Sequence, residues 1–78
     1  MSWKPEFTLD FDERWRDNGL RFGSKSEAEL WASYLKERYQ AVRQVRVVEL
    51  YEGIEPTRHR LVMGQVVDLP EETIPIFH

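Results

Sequence analysis

Gly23-Ser24-Lys25-Ser26-Glu27-Ala28-Glu29-Leu30-Trp31-Ala32-Ser33-Tyr34-Leu35-Lys36-Glu37-Arg38-Tyr39-Gln40-Ala41-Val42 is the stretch that decides the fold. Gly23 breaks whatever precedes it. Ser24 and Glu27 stand three apart, as in a capping box, where a serine hydroxyl accepts from the N3 amide and a glutamate reaches back. A helix is predicted from that point. On a wheel of 3.6 residues per turn, Ala28, Trp31, Ala32, Leu35, Tyr39 and Val42 fall in one stripe. Glu27 and Glu29 in the first turn, with Lys36 and Arg38 near the last, suit the helix dipole.

Working back from the cap, residues 6–16 alternate. Phe7, Leu9, Phe11 and Trp15 share one parity, and Thr8, Asp10, Asp12, Arg14 and Arg16 the other. A period of two predicts a strand with one buried and one wet face. Asp17-Asn18-Gly19 then reads as a hairpin turn, because Asn-Gly accepts positive φ at both positions. Leu20-Arg21-Phe22 is expected to return as a short strand.

Beyond the helix, Gln44 to Tyr51 is the most β-prone stretch, with Val45, Val47, Val48 and Leu50. Keeping Val45 and Val47 inward would also turn Glu49 inward, so a bulge near Val47-Val48 is expected. Gly53 and Pro56 mark a loop. Arg58 to Met63 alternates again, Gly64-Gln65 turns the chain, and Val66 to Leu69 forms a last strand. Residues 71–78 follow as an extended tail, since Pro70 and Pro75 disfavour helix and central strand.

The predicted fold is therefore α+β: a two-layer β-β-α-β-β domain over residues 1–70, one helix packed on a four- to five-stranded antiparallel sheet. The expected core sets Trp31 and Leu35 against Phe7, Phe11 and Phe22.

With 78 residues the chain has room for one domain and little for a deep catalytic cleft. It has no cysteine, which removes disulfides, thiolate metal sites and cysteine nucleophiles. A small fold without disulfides fits the cytoplasm. No apolar run approaches the roughly 20 residues of a membrane span, and the first residues lack the order of a signal peptide. The net charge of −3 exerts no overall pull on nucleic acid or an anionic membrane. Eight of the eleven basic residues are arginine, so the direction of those forks matters more than their number.

Two surfaces are candidate sites. The first is the open sheet face, expected to carry Arg14, Arg16, Arg21, Arg46, Arg58 and Arg60 with Asp10 and Asp12 among them. It could dock phosphates or nucleic acid, or its arginines could simply pair across strands. The second combines the helix back, Leu30, Tyr34 and Ala41 with Arg38 at its edge, and the tail residues Ile74, Ile76 and Phe77. Apolar groups on faces that ought to be wet point to a protein partner or a homodimer seam.

Catalysis is not expected. His59 stands between Arg58 and Arg60 with no ligand set or orienting partner in view, and His78 is the last residue. Asp10 and Asp12 share a strand face, yet beside arginines they read as ionised charge partners. The four glycines are isolated, so no phosphate loop is present, and no cofactor is implied.

Asn18-Gly19-Leu20-Arg21-Phe22, then Ser24-x-x-Glu27-Ala28 opening a helix, then a Val-rich strand, resembles a pattern in small uncharacterised bacterial and phage proteins. The resemblance covers residues 15–50. It implies no activity, and no functional residue is carried over from it. The expected function is a small non-catalytic interaction or accessory module, with nucleic-acid or phosphate binding through the arginines as the alternative.

Overall fold

The computed structural model describes residues 1–69. The chain is α+β and runs β1 (Ser2–Leu9), β2 (Asp12–Arg16), α1 (Lys25–Arg38), β3 (Val42–Leu50), β4 (His59–Val62) and β5 (Gln65–Asp68). β1 lies between β2 and β3 in a three-stranded antiparallel sheet, and β4 pairs with β5 in a second, two-stranded one. This division into three and two replaces the single sheet expected from sequence. Phe22 supplies the junction: it bridges Trp3 on one side and His59 on the other.

The helix begins as its cap dictates. The Glu27 amide donates to the Ser24 hydroxyl at 3.2 Å, and the Ser24 hydroxyl donates to the Glu27 carboxylate, also at 3.2 Å. Glu27 has a second task, accepting the Leu61 amide of β4 through its other oxygen. Ala28 and Ala32 are the buried residues of the helix, small enough for it to sit close on the strands. At the far end Tyr39 leaves the helix in extended conformation, and Val42 already belongs to β3.

The strand predicted over residues 6–16 is two strands. The chain turns at Asp10-Phe11, which leaves Phe11 76% exposed and outside the core. Asp17-Asn18-Gly19 turns too, with the Gly19 amide on the Asp17 carboxylate at 2.8 Å and Gly19 at φ +84°, but it closes no hairpin. The residues after it pair with the start of β1, not with β2. β1 therefore starts before Pro5. Trp3 directs both its N–H and its C=O to Phe22, away from β3, and Pro5, two residues on, points the same way. The donor that Pro5 lacks is thus not one that β3 needs.

The β1–β3 register runs without a break from Ser2 opposite Leu50 to Thr8 opposite Gln44. The bulge expected near Val47-Val48 lies instead beside Arg43, between Thr8 and Leu9 on β1. Val45, Val47 and Glu49 all share the helix-facing side, and Glu49 stays exposed at its edge. In the β4–β5 hairpin the turn is Met63-Gly64, one residue earlier than read, with both residues at positive φ.

No helix among the described residues is long and apolar enough to cross a membrane. Pro70 and the tail lie outside the described residues, and with them Ile74, Ile76 and Phe77.

Candidate functional site

A helix is about 10 Å wide with its side chains, and strands stand about 4.8 Å apart, so one helix covers about two strands. α1 packs on β1 and β3, touches β4, and does not reach β2. The strip of sheet beside it is left open. A groove of about 450 Å³ lies between the helix and the sheet where the end of β1 meets the start of β3. Phe7 and Leu9 of β1 line it with Val42 of β3, and Trp31, Tyr34, Leu35 and Arg38 of the helix form its wall. Tyr39 and Ala41 lie at the helix exit, and Asn18 and Gly64 complete the lining. A volume of this size, largely apolar with few polar groups, is what binding sites have in common.

Arg38 is the one charged residue in that lining, and its guanidinium lies 6.0 Å from the centre of the Tyr34 ring. The β4–β5 turn approaches the same ring: a Cβ on Gly64 would lie 3.9 Å from Tyr34. The site is thus assembled from four parts of the chain. Of the expected partner surface, Tyr34, Arg38 and Ala41 come together here. Leu30 does not; it is 46% exposed on the outer side of the helix. Trp31, Leu35 and Phe7, expected as closed core, are half-buried groove walls, whereas Phe22 is fully buried elsewhere, its ring edge-on to His59.

The six arginines do not share one face. Arg16 stands opposite Phe7, on the helix side of the sheet. Arg14 and Arg16 close on Asp12, with Arg14 donating at 2.9 Å. Those bonds, foremost from the Arg14 side chain, hold the Asp12 carboxyl far below the usual range, so it stays a fixed anion. Asp10 is exposed at the turn and apart from this cluster.

The open face holds a different set. Arg46 donates to Glu6 at 2.6 and 2.7 Å and lies 4.0 Å from the Trp15 ring centre, and Lys4 reaches Glu6 at 3.0 Å. Arg21 pairs with Asp17 and Glu55. Trp15 joins this face, against its expected inward parity, because the turn at Asp10-Phe11 reverses the alternation. Arg58 and Arg60 are exposed, one just before β4 and one within it.

His59 is a structural residue. Its Nδ1 accepts the Arg21 amide at 2.9 Å and its Nε2 lies 3.3 Å from Asp68, so it clamps the Arg21-Phe22 backbone to β4. Among the described residues no three His, Asp or Glu side chains converge as metal ligands. Compared with known protein families, curated proteins and solved structures, the chain matches none of them.

Proposed function

We propose that the chain is a small non-catalytic interaction module of the cytoplasm, and that its groove takes an apolar segment of a partner protein carrying a carboxylate. The observation that carries this reading is the open groove itself. Phe7, Leu9, Trp31 and Leu35, half-buried side chains that a closed two-layer domain would bury against one another, line a space of about 450 Å³. Covering them would recover roughly 25 cal/mol for each Å² of apolar surface removed from water. Arg38 supplies the charge preference, since its guanidinium can fork onto a carboxylate at the groove mouth.

Selection of random peptides displayed on phage against the purified chain tests this. Enriched peptides are expected to combine large apolar residues with Asp or Glu and to lose binding to R38E and Y39E. Tyr39 is 58% exposed, so its replacement leaves the fold intact. Peptides that bind both variants as well as the parent, or no enrichment at all, would overturn the reading.

The alternative, nucleic-acid binding through the arginines, has one observation in its favour. Trp15 and Arg46 stack on the open face, as stacking platforms require. Against it stand the carboxylates that already hold Arg14, Arg16, Arg21 and Arg46.

A further inference from the structure

Among the described residues the two sheets have four edge strands; Phe22 bridges β4 at His59, and the other three edges are not equivalent. β2 is five residues long and charged at four of them, and β5 has four residues. Short or charged edges are the means by which proteins keep sheets from pairing with other chains. β3 has nine residues, Val42-Arg43-Gln44-Val45-Arg46-Val47-Val48-Glu49-Leu50, with four valines and no proline or lysine. It pairs with β1 on one side and with no strand on the other.

The direction of its unpaired groups follows from the ladder. Trp3 exchanges both backbone bonds with Phe22, so it turns away from β3, and Glu49 opposite it occupies a site without bonds to β1. Antiparallel pairs alternate. Glu49, Val47 and Val45 therefore direct N–H and C=O outward, and Val48, Arg46 and Gln44 direct theirs to β1.

We propose that this edge pairs antiparallel with β3 of a second copy, giving a two-fold dimer in which the two three-stranded sheets become one. Arg46 rules out one register. A two-fold axis at Arg46 would set two guanidiniums directly opposite each other, which is destabilising. An axis at Val47 sets Arg46 against Val48 of the other copy. It also makes Val47 pair with its own counterpart and Val45 with Glu49, so the outward-facing backbone groups of all three are satisfied. A partner of another sequence has no such constraint to meet, whereas self-pairing requires this match and β3 provides it.

Two measurements test the dimer on the full chain. Sedimentation equilibrium is expected to show twice the 9.4 kDa chain mass at high micromolar concentration. V47P removes an outward N–H that β1 does not use, and is expected to weaken association at least about tenfold while circular dichroism stays unchanged. Amide exchange of the unaltered chain needs no variant: Val45, Val47 and Glu49 should become protected as concentration rises, with Gln44, Arg46 and Val48 protected throughout. A single-chain mass with fast exchange at all three overturns the proposal. So does a dimer in which those three amides stay fast, because its seam lies elsewhere.

Discussion

Phe22 and Trp3 bind each other through both backbone groups, the Trp3 amide donating to the Phe22 carbonyl at 2.8 Å and the Phe22 amide to the Trp3 carbonyl at 2.9 Å. With His59 bridged to its other side, Phe22 ties the three-stranded sheet to the β4–β5 hairpin. Its ring is fully buried. Phe22→Ala should therefore cost about 3–5 kcal/mol, enough to unfold most of a domain this small. Trp31→Ala, in the wall of an open groove, should cost clearly less. Urea midpoints of the two variants compare them directly, and a larger loss for Trp31 would mean that the groove is closed core.

Much of this was legible in the residues. The capping box at Ser24 and Glu27 placed the helix start, because a cap is a local device whose partners sit three residues apart. The Val-rich β3 followed from β-propensity and the β4–β5 hairpin from alternation, with its turn one residue away from the expected place. The N-terminal strand did not: Phe11 continues the apolar parity of Phe7 and Leu9 straight through a turn, so periodicity alone hides the reversal. Pro5 likewise argues against a central strand unless the direction of its missing donor is known. The groove was legible only as ingredients, since the wheel places Tyr34 near Leu30, while the fold sets Tyr34 and Arg38 in the groove wall beside Phe7 and Leu9.

Acid should destabilise the protein through Glu6 and Asp17. Burial pushes the Glu6 carboxyl up, but its bonds and charges with Lys4 and Arg46 outweigh this and hold it below its ordinary 4.5. The Gly19 amide, with Arg21 and Lys4, holds Asp17 below 3.8. A carboxyl lowered in the folded state stabilises it fully above the unfolded value, and that contribution is lost as pH falls through the folded one. Urea midpoints should stay level above about pH 5 and drop below it. E6Q should flatten that drop, and an unchanged slope would remove Glu6 from the account.

Met63 is strained. It sits at φ +51° in a two-residue turn with Gly64 at +79°, and is 98% exposed. Asn-Gly is the pair such turns prefer. Met63→Asn should raise stability by about 0.5–1 kcal/mol, read as an increased melting temperature. A lower melting temperature would show that Met63 has a packing role.

Nucleic acid gives a clear contrast. Because carboxylates hold four of the six arginines, single-stranded RNA is expected to bind weakly if at all at about 50 mM salt. Fluorescence anisotropy with a labelled oligonucleotide measures it. Tight binding that falls steeply with salt and is lost in R46E would favour the Trp15–Arg46 face over the groove.

The most direct test of the groove is a heteronuclear NMR titration of the labelled chain with an apolar peptide carrying one acidic residue. The Trp31 indole resonance and the amides of Phe7, Leu9, Leu35 and Gly64 are expected to shift together, while the Trp15 indole stays in place. Shifts centred on Trp15 and Arg46, or none at saturating peptide, would contradict the groove reading.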